Sequence, residues 1–176
     1  MKRGQNKKGF TIVELLIVIV VIGILAAITI VAYNGIQTSA RDAQRKTDIG
    51  NIAKALHIHN VNNGNYVGAA SGCGSTGGGN GWLGLDYDGA TTTLKSIAQC
   101  LVDSGSMSKE LRDPSGLANC GFGNVCRAYM KYTCASGTFL YASLESIPAG
   151  VDGPTNATCA PAWDTDYGMN YTVKVD

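Results

Sequence analysis

Proline is scarce in this chain of 176 residues: there are four, and the first is Pro114. Proline breaks helix interiors because it lacks the amide donor and its ring strikes the preceding turn. Its absence from the first part of the chain therefore leaves room for a long helix there. Charge is missing from one stretch: no Asp, Glu, Lys or Arg stands between Glu14 and Arg41. Histidine is limited to His57 and His59. Everything after them lacks the base that a Ser-His-Asp or Cys-His arrangement needs. Two residues apart on a helix, the pair faces different directions and cannot grip one metal ion. The spacing Cys-x-x-Cys never occurs, which argues against a zinc ribbon. The net charge is +1, from 14 basic and 13 acidic side chains, so there is no excess of positive charge for a polyanionic partner.

What the chain does have is concentrated in Gly9 to Gln37, GFTIVELLIVIVVIGILAAITIVAYNGIQ. A basic leader with Lys2, Arg3, Lys7 and Lys8 ends at Gly9, and Phe10 opens the apolar run. A helix of roughly 20 residues at 1.5 Å each spans a bilayer's hydrocarbon core. Leu15 to Ala32 with Phe10 to Val13 supplies that length, interrupted by Glu14 alone. The basic leader is expected to stay cytoplasmic, which places the rest outside. A cleaved secretory signal usually has a shorter apolar core followed by an Ala-x-Ala site. Ala26, Ala27 and Ala32 do not fall in that spacing. A plain membrane anchor accounts for the length but not for Glu14. A carboxylate inside a spanning helix costs about 2.5–3.5 kcal/mol even on the lower scales, and such residues usually have a partner.

The segment KGFTIVELLIVIVVIGILAAITIV resembles, almost residue by residue, the class III signal and N-terminal helix of type IV pilins and of the pseudopilins of type II secretion. The resemblance implies cleavage by a prepilin peptidase between Gly9 and Phe10 and N-methylation of Phe10. It implies that Glu14 neutralises the Phe10 amine of a neighbouring subunit. Removal of the leader would leave 10 basic against 13 acidic side chains, about −3. Members of that family often carry a proline directly after the equivalent of LAAITI. Val31 stands there instead, so no proline kink is expected.

The helix is expected to continue to about residue 60. Ile49, Ile52, Ala53 and Leu56 form an apolar face for a globular head, with Arg41, Asp42, Gln44, Arg45, Lys46 and Asp48 as polar companions. Asn62-Asn63-Gly64-Asn65 is the stop. NNGNYV resembles the helix exit of the same family. Gly68 to Gly89 holds nine glycines and reads as a long irregular loop, pinned by Trp82, Leu83, Leu85 and Tyr87. A short helix is expected over Leu94 to Leu101, capped by a threonine of Thr91 to Thr93. Met107 to Leu111 reads as a further turn, and LVDSGSMSKELRDP resembles the region before the first strand in pilin heads. CRAYMKYTC and TFLYASLES read as an antiparallel hairpin and TVKVD as a third strand, with one sheet face on the long helix. The fold class is α+β: a long N-terminal helix packed by a small antiparallel sheet, stapled by disulfides. The expected organisation is a leader at 1–9, a membrane and polymerisation helix at 10–37, and a head at 38–176.

Six cysteines, Cys73, Cys100, Cys120, Cys126, Cys134 and Cys159, lie outside the apolar helix and read as disulfides. Pairs near in sequence are favoured: Cys73–Cys100, Cys120–Cys126 and Cys134–Cys159. Gly72, Gly74 and Gly77 spell GxGxxG, but no strand pattern precedes and no helix pattern follows, so a phosphate site is not expected. Asp86-Tyr87-Asp88-Gly89 lacks EF-hand spacing. Asp164 and Asp166 are calcium candidates by resemblance, since some major pseudopilins bind calcium there; turn aspartates in solvent are the plainer reading. Tyr129, Tyr132, Phe139 and Tyr141 fit a strand core better than base stacking, and no nucleic acid is expected on the head. Glu145 sits on a strand without an acid–base partner, and no catalytic residue is expected. The resemblance implies a structural subunit of a type IV pilus serving adhesion, twitching motility or DNA uptake. The alternatives are a type II secretion pseudopilin and a membrane-tethered binding domain. The implied partners are further copies in a helical filament, other pilins, the peptidase, an assembly platform and its ATPase. The implied locations are the inner membrane, with an extracytoplasmic head, and then the extracellular pilus.

Overall fold

The structure is a computed structural model, and it describes residues 9–68, 71–74, 78–84, 95–116, 123, 125–148, 159 and 163–176, apart from the side chains of residues 31, 32 and 164. The elements are α1 (Ile12–Asn63), β1 (Gly81–Trp82), α2 (Ile97–Asp103), β2 (Met130–Cys134), β3 (Gly137–Ala142), α3 (Trp163–Tyr167) and β4 (Tyr171–Lys174). The chain divides into two compact units, Met1–Thr38 and Ser39–Asp176.

In the first unit α1 runs helically through Val31, where no proline interrupts its hydrogen bonds. The Thr29 hydroxyl donates back to the Leu25 carbonyl at 2.6 Å, a local bond that satisfies a polar group on an apolar helix. The helix is long and apolar enough to cross a membrane by length and composition.

The second unit is α+β. Its sheet has four antiparallel strands in the order β1-β2-β3-β4. The three-strand expectation is corrected by β1, in which Gly81 pairs with Lys131 and Trp82 with Met130. Two residues are too few to show strand periodicity, so only pairing reveals them. β2 and β3 form the hairpin, with Cys134 opposite Gly137 and Met130 opposite Tyr141. The strand begins at Met130 rather than near Val125, and β3 ends at Ala142, before Glu145.

Between the sheet and α1 lies a cluster of Ile49, Ile52 and Leu56 from α1, Ile97 and Leu101 from α2, Leu140 from β3, and Leu83 and Val175. One face thus packs on the long helix as expected, and the opposite face is covered as well. Trp82, Met130, Phe139, Tyr141 and Met169 pack there with Trp163 and Tyr167 of α3. Trp163 meets Tyr132 and Tyr141 edge-on at 5.0 and 5.1 Å, a favourable aromatic geometry. Burial on both faces explains why β3 reads TFLYA without alternation. Tyr129, Phe139 and Tyr141 are core residues.

α2 starts at Ile97, three residues later than expected from Leu94. Ser96 caps it, its hydroxyl accepting from the Gln99 amide at 3.0 Å. The expected threonine cap, with Leu85, Tyr87 and Leu94, lies outside the described residues. Residues 107–111 are bends rather than a helical turn. α1 ends where the Gly64 amide reaches the Asn60 carbonyl at 2.8 Å, with Gly64 at φ 74.

Three of the polar companions on α1, Asp42, Arg45 and Asp48, are buried charges, while Gln44 and Lys46 are exposed. Arg45 is fully buried, its Nε and Nη2 donating to both oxygens of Asp113 at 2.7 and 3.0 Å. Its Nη1 lies 2.8 Å from Asp42 Oδ1 and from Glu145 Oε1. Arg41 grips Glu145 with two bonds, at 2.8 and 2.6 Å. Asp42 accepts from the Glu145 and Ser146 amides, both at 2.8 Å. Glu145, for which no acid–base partner was expected, is held in ion pairs by two arginines. Such networks are stable only when the buried groups find partners, and among the described residues no nitrogen or oxygen of Arg45, Asp42, Asp113 or Glu145 is buried without one. Burial works to raise the Asp42 pKa, but hydrogen bonds from Ser146, the Glu145 amide and Arg45 hold it at about 2. The Arg41 hydrogen bond, helped by Arg45, holds Glu145 at about 2. Burial raises Asp48, against the hydrogen bond from the Tyr129 hydroxyl at 2.7 Å.

Candidate assembly segment

The functional residues read from the sequence lie at the start of α1. Gly9 is not required by packing: a Cβ built on it meets nothing within 4 Å, and its φ is not in the left-handed region. Phe10 is 90% exposed. From Phe10 through Ile30 every large apolar side chain is at least 48% exposed, among them Leu15, Ile19, Val21 and Leu25. A continuous apolar surface of this kind marks contact with lipid or with other protein.

Glu14 is ordered by the first turn. The Thr11 amide and hydroxyl donate to Glu14 Oε2 at 2.8 and 2.7 Å, and the Glu14 amide donates to Thr11 Oγ1 at 3.2 Å. This is a capping box, in which residue and cap satisfy each other's orphan groups. The signal for it, Thr-x-x-Glu before an apolar run, stands in the sequence, but the length and charge of the run drew the reading instead. The box leaves a carboxylate at the N-terminal end of an apolar helix, in reach of a cation brought by something else.

Residues 4–30 match the family model described as the prokaryotic N-terminal methylation motif. The chain therefore carries that motif at its N-terminal end. It is similar to the type II secretion system core protein G of Pectobacterium carotovorum subsp. carotovorum, 30% identical over 63 residues. That match covers 36% of this chain and 40% of the relative. It is also similar to the type II secretion system core protein G of Klebsiella michiganensis, 33% identical over 64 residues, covering 36% of this chain and 45% of the relative. The chain thus spans less than half the length of the curated relatives it matches. No solved structure matches it.

The remaining site expectations fall on the head. Cys73 is bonded to Cys100 and Cys134 to Cys159, with Cα atoms 6.3 and 5.7 Å apart. Cys126 is disulfide-bonded, and Cys120 lies outside the described residues. His57 Nδ1 lies 3.4 Å from the Tyr66 hydroxyl and His59 Nδ1 2.9 Å from the Asn65 carbonyl, so the two histidines serve different contacts. Asp166 is half-buried on α3, its carbonyl accepting from the Gly123 amide at 2.8 Å. The side chain of Asp164 lies outside the described residues. Among the described residues no group of three or more His, Cys, Asp or Glu side chains could hold a metal ion. Gly72 and Gly74 turn at φ 71 and 79 beside isolated bridges of Cys73 to Gly78 and Lys95, with no helix opening at Gly74. Gly77 and Asp86 to Gly89 lie outside the described residues.

Proposed function

We propose that this chain is a structural, non-catalytic subunit of a helical filament. It enters the inner membrane, is cut between Gly9 and Phe10 by a prepilin peptidase, is N-methylated on Phe10, and polymerises through its N-terminal helix. The observation that carries this reading is the apolar surface of residues 10–30, exposed on every side around a single carboxylate. Lipid covers that surface before assembly, and neighbouring helices cover it afterwards. Glu14 meets the Phe10 amine of a neighbouring copy in the filament. A buried ion pair adds little net stability, since desolvation offsets its attraction, but it fixes register. The partners are further copies, other pilins, an assembly platform and its ATPase, with the head on the far side of the membrane.

Two filaments fit such a subunit. The two core G proteins of secretion systems among its relatives favour a type II secretion pseudopilus. The six cysteines and the glycine-rich loop favour a type IV pilus on the cell surface. The deciding experiment is electron microscopy and secretion profiling of cells with and without the gene, with N-terminal sequencing of the membrane-extracted protein. Surface filaments containing this chain identify the pilus, and lost export without surface filaments identifies the pseudopilus. A mature N-terminus other than Phe10, with no filament in either assay, rejects the proposal.

A further inference from the structure

Lys131 lies in β2 opposite Gly81 and is fully buried. A buried ammonium is ordinarily paired with a carboxylate. The Lys131 Nζ donates instead to neutral oxygens: the Gly79 carbonyl at 2.7 Å, the Val67 carbonyl at 3.1 Å and Thr133 Oγ1 at 3.1 Å. These contacts match the full donor capacity of an ammonium.

The two carbonyls come from the two ends of the glycine-rich segment, Val67 after α1 and Gly79 before β1. The ends are pressed together. A Cβ on Gly79 would overlap the carbonyl oxygens of Val67 and Gly68, and Gly79 sits at φ 72. Val67 is itself fully buried at φ 56, a backbone region that β-branched residues avoid. Carbonyl dipoles converging in a buried place repel one another unless a positive charge lies between them. The rest of the segment is tied separately. Asn80 Oδ1 accepts from the Thr133 amide at 2.8 Å, and the Cys73–Cys100 bond holds its middle.

We propose that the Lys131 ammonium is an internal cation site, a charge carried by the sheet that gathers the two ends of the glycine-rich segment as a bound metal ion does in other loops. Burial pushes Lys131 down to about 8, so the ammonium form prevails at neutral pH, and its oxygen acceptors favour that form further. The device fixes Val67 and Gly79, at the two ends of the segment, against each other. The inference is independent of the filament reading.

The test uses the full chain in detergent micelles. Lys131→Met keeps an unbranched side chain, one atom shorter, and removes its donors. It is expected to lower the melting temperature and to speed amide exchange at residues 67–68 and 78–80 by about ten-fold or more, with α1 residues 12–30 unchanged. Lys131→Ala opens room for propylammonium, which carries the deleted atoms. Added propylammonium is expected to restore part of the lost melting temperature, and 1-propanol, with nearly the same shape and no charge, is not. Exchange in Lys131→Met equal to that of the unaltered chain overturns the proposal, as does equal rescue by propanol. Should both variants fail to fold, the ammonium protons of Lys131 in the unaltered chain decide. Slow exchange at neutral pH, against fast exchange at Lys54, supports the site, and exchange as fast as that of Lys54 rejects it.

Discussion

The two units of this chain treat polar and apolar groups in opposite ways. In residues 9–38 large apolar side chains are exposed, and the carboxylate of Glu14 is satisfied within its own first turn. In residues 39–176 even charged groups are buried, and Arg45, Asp42, Asp113 and Glu145 find one another from distant parts of the chain. Both patterns occur along α1. The backbone is the same, so the difference lies in where the partner of each half is found. The outer half of the helix packs against strands of its own chain. The large apolar side chains of the inner half are exposed, the pattern of a surface that contacts lipid or other protein.

Variants of the two halves should therefore fail in different assays. The largest effect is expected from Glu14→Ala: filaments are lost, while cleavage before Phe10 and the melting temperature of the head are unchanged. Sedimentation, N-terminal sequencing and calorimetry measure the three readouts. Normal filaments from this variant would remove the ion pair from the assembly argument. Next is Arg45→Ala, which strands buried carboxylates. Breaking a buried pair from one side costs about 3–5 kcal/mol, so the head should melt far earlier while membrane insertion persists. A loss below about 1 kcal/mol would mean that the network is solvated.

Acid should act on the same network. Asp42 and Glu145 sit at about 2 in the folded head, against ordinary values of 3.8 and 4.5. A carboxylate with a depressed folded pKa stabilises fully above its unfolded value and loses that contribution as pH falls toward its folded value. The melting temperature should therefore be flat near neutrality and fall between about pH 4.5 and 2. In Asp42→Asn with Glu145→Gln the slope should be reduced. The smallest effect is expected from Ser96→Ala, which removes the α2 cap and costs about 1 kcal/mol by chemical denaturation. If Ser96→Ala cost as much as Arg45→Ala, the comparison between cap and network would fail.

Most of the candidate segment could be read without a structure. A leader ending at Gly9, an aromatic at Phe10, an uncharged run and one glutamate are local features, and the length of the run is set by the bilayer. The capping box was legible too, as Thr11-Ile12-Val13-Glu14, because both partners lie within one turn. The α+β class followed from the switch in periodicity between Ile49–Leu56 and the strands. β1 and α3 did not follow, since elements of two and five residues are too short to repeat a hydrophobic period.

The sequence by itself determined which part of this chain would carry a continuous uncharged apolar surface, because hydropathy and charge act residue by residue over a continuous run. Only the tertiary structure decided which charges of the head would be buried. Arg45 and Lys131 look like surface residues until their acceptors are known. Those acceptors stand 68 residues away at Asp113, and 64 and 52 residues away at Val67 and Gly79. Desolvating a charge is tolerated only where the fold delivers such partners, and no local pattern records that delivery.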